Sequence, residues 1–219
     1  VIVAVAAGQL VVLFFSSLVI AYSGALMPGP MLTAVVVQSP RHGAKAGPLV
    51  VLGHAILELV LLGALVVGLG HLLERGSFKA AIALIGGVML VWTAASMIAA
   101  VARDQVALDW QADARGRRMR MVLSGVISSL SNPYWTIWWA TIGLGLLTKA
   151  YAAGVAGVAV FYVGHILGDL TWYSAVSGTI AAGRRFITVR VYKIMLCAAA
   201  AFLLALAAWF IVSGVRFVT

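Results

Sequence analysis

Charge is what this sequence has least of. Six Asp and Glu and fifteen Lys and Arg make up a tenth of its 219 residues, while 63% are hydrophobic. A soluble domain of this length would have to expose much of that apolar surface, so a soluble fold is excluded. Cysteine occurs once, which rules out an intrachain disulfide. Cys197 lies among alanines and is expected to be a small buried hydrophobe without a role. No Gly-x4-Gly-Lys-Ser/Thr loop is present, so the chain carries no nucleotide-driven engine of its own. No His-Glu-x2-His zinc motif occurs, and Ser128, Ser129 and Ser131 have no evident base. An intramembrane enzyme therefore has no starting point here. The opening segment also lacks the charged n-region of a signal peptide.

What is present in quantity is long apolar sequence. The hydrocarbon core of a bilayer is ~30 Å thick and takes ~20 apolar residues of helix to cross. Six such stretches are read, at 8–38, 46–72, 78–102, 119–148, 151–178 and 188–215. Barrel strands would be shorter and alternating in polarity. The expectation is an all-α membrane protein with short connections. The basic residues are distributed unevenly between those connections. Arg41, Lys45, Arg103, Arg115, Arg117, Arg118, Arg120, Arg184, Arg185, Arg190 and Lys193 fall on one side, and Arg75, Lys79, Lys149 and Arg216 on the other. The positive-inside rule puts the first group in the cytoplasm and both termini outside it, in a multi-pass protein of the inner (plasma) membrane. The net charge of +9 is then a topology signal and a lipid-headgroup contact, and nucleic acid is excluded as a partner.

The chain repeats itself. Gly53-His54-Ala55-Ile56-Leu57-Glu58-Leu59 in the second stretch is matched by Gly164-His165-Ile166-Leu167-Gly168-Asp169-Leu170 in the fifth, 111 residues on. Ser23-Gly24 followed by Pro28-Gly29-Pro30 in the first stretch is matched, with a small insertion, by Ser124-Gly125 followed by Ser131-Asn132-Pro133 in the fourth. The unit is three spans long. An odd number of spans makes the second unit enter the membrane from the opposite side, the inverted-repeat plan of many secondary transporters. The chain is therefore read as a single transmembrane transporter domain, 1–219. Repeat one is 1–102, a basic cytoplasmic loop is 103–118, and repeat two is 119–219.

Chemistry is expected at two kinds of place. Pro28-Gly29-Pro30 and Asn132-Pro133 should break helices one and four, freeing backbone groups that must be satisfied inside the protein or in a wet cavity. Glu58 and Asp169 are the only acids placed well within the hydrocarbon layer, where a charged carboxylate costs ~3 kcal/mol on insertion scales. Each follows a histidine by four residues, so His54 and Glu58 share one helix face and His165 and Asp169 another. If the two helices touch in antiparallel, His54 lies level with Asp169 and Glu58 with His165. The bland alternative is a pair of structural His–carboxylate contacts, although desolvation largely cancels the gain from such pairs. The aromatic run Tyr134, Trp135, Trp138 and Trp139 is read as core filling rather than cavity lining. Gly86, Gly87, Gly154, Gly164 and Gly168 are read as close helix packing.

At these residues the chain resembles the lysine-exporter superfamily, of the LysE/RhtB kind. Met27-Pro28-Gly29-Pro30 is similar to that family's hallmark, and Asn132-Pro133-Tyr134 to its second motif. The resemblance implies secondary active export of amino acids or related small metabolites, coupled to protons or another cation. It implies substrate binding at Pro28, Gly29, Pro30, Asn132 and Pro133 together with Glu58 and Asp169. Coupling would fall to Glu58 and Asp169 tuned by His54 and His165. The alternative reading is a divalent-metal exporter with His54, Glu58, His165 and Asp169 as ligands. In the organic-solute case two separate pairs should flank a wider cavity; in the metal case all four side chains should approach one point. A structural membrane subunit would leave the symmetric acids unexplained. No cofactor is expected. The partners are a small-molecule substrate and the lipid bilayer, with a homodimer admissible.

Overall fold

The computed structural model of the chain describes residues 2–69, 75–105 and 114–216. The end of the expected second span and part of the expected basic loop 103–118 fall outside the described residues. What is described is helical. Helix α1 (Ile2–Ala25) is followed, after a four-residue break, by α2 (Pro30–His42) and, after a 3-10 turn (Gly43–Lys45), by α3 (Ala46–Ala64). Helix α4 (Gly76–Ala102) comes next, then α5 (Ala114–Leu130) and α6 (Pro133–Trp138). A π-helical turn (Trp139–Gly143) joins α6 to α7 (Leu144–Ala152), and α8 (Gly154–Ala182) and α9 (Val189–Arg216) complete the order.

Five helical stretches are long and apolar enough to cross a membrane: Ala7–Ala25, Pro30–Gly68, Gly76–Ala102, Gly154–Ala182 and Val189–Arg216. The apolar residues face outward, as they should in lipid. Val12, Phe15 and Val19 on α1, Leu52, Ile56 and Val60 on α3, and Val88 and Trp92 on α4 are all exposed. The polar residues are inside, where Ser17, Ser39, Ser129 and Ser177 are buried with both histidine–acid pairs. Cys197 differs from expectation: it is exposed on α9, because the inward stripe of that helix is taken by Tyr192, Leu196, Ala200 and Leu203.

Both expected breaks exist. The first runs from Leu26 to Gly29, with Pro30 at the start of α2; the second is Ser131–Asn132, with Pro133 at the start of α6. A proline has no N–H to contribute, and its φ suits the first helical position, so each proline ends one helix and begins another. The second break cuts the expected stretch 119–148 into α5, α6 and α7, and none of these pieces alone has the length of a span.

In lipid no hydrophobic effect pulls helices together, so packing depends on small residues that let backbones approach. The α3–α5 contact is of this kind. A Cβ on Gly53 would lie 1.9 Å from the Val122 carbonyl oxygen, and a Cβ on Gly125 would lie 1.9 Å from that of Val50. The α1–α8 contact repeats the device. A Cβ on Gly164 would lie 2.6 Å from the Phe14 oxygen, and Ser17 Oγ donates to the Phe161 carbonyl at 2.6 Å. Gly164 and Phe161 stand 111 residues after Gly53 and Val50, and Phe14 and Ser17 stand 108 residues before Val122 and Gly125. Helix α4 packs along α9 through Leu90, Ala94, Ala200, Leu203, Ala207 and Phe210.

The end of α2 and the residues after α4 meet the start of α9. Arg41 lies over the Tyr192 ring at 5.0 Å, and Lys193 donates to the Asp104 carboxylate. That hydrogen bond and the charge behind it hold the Asp104 carboxyl below its ordinary range, though an exposed pair of this sort contributes little stability.

The α3–α5 approach can be tested directly. Gly53→Val should destabilise the folded protein by ~3 kcal/mol or more through overpacking. Gly63→Ala, on the same helix with no atom within 4 Å of the added carbon, should leave stability unchanged or slightly raised. Thermal unfolding of the two variants in one detergent checks the contrast.

Candidate functional site

Gly53 and Gly164 bring α3 and α8 close enough to their neighbours to carry the histidines and acids into the centre of the bundle. His54, Glu58, His165 and Asp169 are 5, 1, 4 and 4% exposed. His54 Nε2 lies 3.1 Å from Glu58 Oε1 and 3.3 Å from Asp169 Oδ2. His165 Nε2 lies 3.1 Å from Glu58 Oε2 and 3.6 Å from Asp169 Oδ2. One ligand atom from each of the four residues falls within 4.8 Å of the other three. The expected cross-helix neighbours, His54 with Asp169 and Glu58 with His165, are therefore met. The expectation of two separate pairs flanking a wider cavity is not: the four side chains form one cluster. The reason is geometric, since each imidazole Nε2 projects between both carboxylates instead of pairing with one.

The aromatic run after the second break supplies the rest of the cluster. Trp135 Nε1 and Trp139 Nε1 each donate to Glu58 Oε1 at 2.8 Å. An indole N–H can only donate, so this oxygen is held as an acceptor by two neutral groups. Trp138 donates instead to Ser23 Oγ at 3.0 Å, and its ring lies 4.8 Å from that of His165. The run was read as core filling, which holds for the fully buried Trp139, but it also completes the coordination of Glu58. The signal that could have found this is the spacing of Trp135 and Trp139, one helical turn apart and just inside the break. The π-helical turn begins at Trp139, and Gly143 leaves space for its ring, since a Cβ there would lie 2.6 Å from Trp139 Cε3. Wide turns of this kind inside helices recur at functional sites.

Ser129, read from the sequence as a serine with no evident base, lies beside an imidazole. Its hydroxyl lies 2.8 Å from the Gly125 carbonyl and 2.7 Å from His54 Nδ1. With the Ser129 hydrogen given to Gly125, Oγ accepts from Nδ1–H, and Nε2 is directed toward the carboxylates. His165 has no such support, and its buried Nδ1 has no hydrogen-bond partner.

The cluster borders a cavity of about 40 Å³. Met27 and Gly29 of the first break and Asn132 of the second line it, together with Tyr134, Trp135, Trp138 and Tyr173. A Cβ on Gly29 would lie 3.5 Å from Asn132 Nδ2, so the two breaks meet across this space. They are not alike, however. Asn132 caps α6, its side chain accepting from Tyr134 N–H at 3.1 Å. Gly29 has no side chain with which to cap α2. Of the other expected site residues, Pro30 is buried in the first turn of α2 and Pro133 is the first residue of α6. Pro28 faces a separate apolar groove of about 300 Å³, shared with Leu32, Val36, Met195 and Phe202. No lysine or arginine lines the central cavity among the described residues.

A buried constellation of two acids, two imidazoles and two interrupted helices is what a carrier needs to receive a charged solute or ion within the membrane. A model of the LysE type translocator family matches residues 22–214. The chain belongs to that family. No curated relative and no solved structure matches it. As a LysE type translocator it is a multi-pass membrane exporter, and the cluster lies within the part of the chain that the family model covers.

Glu58 depends on its indole donors. Trp135→Phe should leave Glu58 Oε1 with one fewer donor and cost ~1–3 kcal/mol, read as a lowered unfolding temperature in detergent.

Proposed function

We propose that this LysE type translocator is a secondary active exporter of amino acids or related small metabolites, driven by a proton or cation gradient. The observation that carries the reading is that both helix breaks and both membrane-embedded acids border one cavity. The uncapped N-terminus of α2 at Gly29–Pro30 would receive a substrate carboxylate, because its free N–H groups and dipole favour an anion. Asn132 Nδ2 stands across the cavity to help. Glu58 and Asp169 would receive the ammonium or the coupling cation, held in place by His54, His165 and the two indoles. A volume of about 40 Å³ holds an ion or ordered waters, so a larger solute enters only as the helices part during alternating access.

The architecture we assign to this cycle is six spans arranged as a 3+3 inverted repeat, with α5, α6 and α7 forming the broken fourth span. The reciprocal close contacts support it: α3 meets α5 as α8 meets α1, at constant sequence offsets. That packing register pairs Ser17 with Gly125, where the sequence motifs alone paired Gly24 with it. Both termini would lie outside the cytoplasm, a reading supported by Arg41 and Lys193, from two basic segments, both packing at the start of α9. Residues 1–219 then act as a single transporter domain, with repeats at 1–102 and 119–219.

A specific observation also favours the second reading, export of a divalent metal ion, since the four side chains approach one point and do not split into pairs.

The test is gradient-driven transport by purified protein in liposomes. Glu58→Gln and Asp169→Asn should each abolish it while leaving the protein monodisperse. Gly29→Leu, which would fill the cavity without straining a backbone already extended at φ −160, should reduce it at least ~10-fold, equivalent to ~1.4 kcal/mol. Unimpaired transport in both amide variants would remove the cluster from the mechanism.

A further inference from the structure

We propose that the His54–Glu58–His165–Asp169 cluster is a binding site for one divalent transition-metal ion, of the Zn²⁺ or Co²⁺ class. The proposal rests on the reading that this cluster is where the exporter handles a cation, and it names that cation.

The first argument is the spacing of the donor atoms. His54 Nε2, His165 Nε2, Glu58 Oε2 and Asp169 Oδ2 are the atoms left to face one another. Three of their separations are 3.3, 3.1 and 3.6 Å. An ion bound tetrahedrally at ~2.0–2.1 Å holds its ligands ~3.3–3.4 Å apart. Those three separations match the edges of such a shell, and one ligand atom from each of the four residues lies within 4.8 Å of the others. These contacts are also poor hydrogen bonds, because Glu58 Oε2 and Asp169 Oδ2 are buried without a hydrogen-bond partner. Two carboxylate oxygens left unsatisfied in the interior of a membrane protein are costly, and a shared cation would satisfy both at once.

The second argument is the division of labour within each ligand. Glu58 Oε1 is taken by the Trp135 and Trp139 indoles, which leaves Oε2 to bind. His54 Nδ1 is taken by Ser129 Oγ, which leaves Nε2 to bind. A histidine ligand that donates its second nitrogen to a fixed oxygen, and a carboxylate ligand hydrogen-bonded from outside, are how metal sites orient their ligands.

The third argument is charge. A metal ion takes its imidazole ligands in the neutral form, and in that form the cluster carries two negative charges, with no lysine or arginine beside it in the cavity lining among the described residues. A divalent ion brings the buried charge to zero, whereas a monovalent ion leaves one charge stranded at low dielectric. Two nitrogen donors in a set of four favour Zn²⁺, Co²⁺ or Ni²⁺ over Mg²⁺ and Ca²⁺, which take oxygen ligands in larger number. The cavity volume suits an ion of this size.

The full chain, purified and stripped with chelator, should bind Zn²⁺ or Co²⁺ at one per chain, and Mg²⁺ or K⁺ in large excess should not compete. Bound Co²⁺ should give the intense visible absorption of a tetrahedral site. His165→Gln and Asp169→Asn should each weaken binding by more than ~10-fold and remove that absorption. Ser129→Ala, which touches only the support behind His54, should weaken it by ~10–100-fold. Should a quartet variant not fold, Ser129→Ala and the Co²⁺ spectrum of the wild-type chain decide alone. Absence of stoichiometric binding, an octahedral Co²⁺ spectrum, or binding retained in both quartet variants would overturn the site. Its failure is separable from failure of the exporter reading. Gradient-driven transport without metal binding would sink the metal site and leave the exporter, and metal binding with no gradient-driven transport would do the reverse.

Discussion

Two carboxylates inside a membrane protein set the terms for everything around them. Each is expensive where it sits, almost wholly buried in the bundle. Glu58 accepts hydrogen bonds from two indoles and lies against two imidazoles, and Asp169 lies against the same two imidazoles. That requires α3, α6 and α8 to meet at one level. It requires the π-helical turn that brings Trp139 to Glu58, and the glycines that let α3 and α8 approach their neighbours. The outer helix pair, α4 with α9, is free of such demands and packs with alanine, leucine and phenylalanine.

The two helix breaks belong to the same constraint. A broken helix is tolerated in lipid only where its freed backbone groups face protein or a polar cavity. Gly29 and Asn132 meet at the cavity that the acids also border, so the interruption of α1–α2 and α5–α6 and the burial of charge occur in one place. The halves are nevertheless unequal there. Asn132 satisfies its own helix start, whereas Gly29 leaves α2 uncapped. Ser129 supports His54, while the position at the same offset in the first half is Ala21, and His165 Nδ1 has no partner. The two packing contacts that match at constant sequence offset thus differ in what lies beside the acids.

Much of this was readable from the chain alone, for a definite reason. In a sequence so poor in charge, Glu58 and Asp169 had few competitors. Their fourfold spacing from His54 and His165 marked a helix face without any tertiary information. Pro28-Gly29-Pro30 and Asn132-Pro133 predicted the breaks because proline acts locally, through its own φ and missing N–H. The basic residues between the apolar stretches likewise act through local partition between water and lipid.

What the chain could not disclose depends on angles between helices. Whether the histidines and acids form two pairs or one cluster turns on where each Nε2 points, and that is decided by the approach of α3 and α8. The donation of Trp135 and Trp139 to Glu58 spans 77 and 81 residues, and a tryptophan next to a break reads equally well as packing. Cys197 misled because an alanine-rich helix shows no stripe by which to tell its lipid face from its inner face. The sequence by itself determined the membrane setting, the breaks and the identity of the buried charges, all of which follow from local chemistry. Only the tertiary structure decided their convergence on one point, because convergence is a relation between distant segments that no single segment encodes.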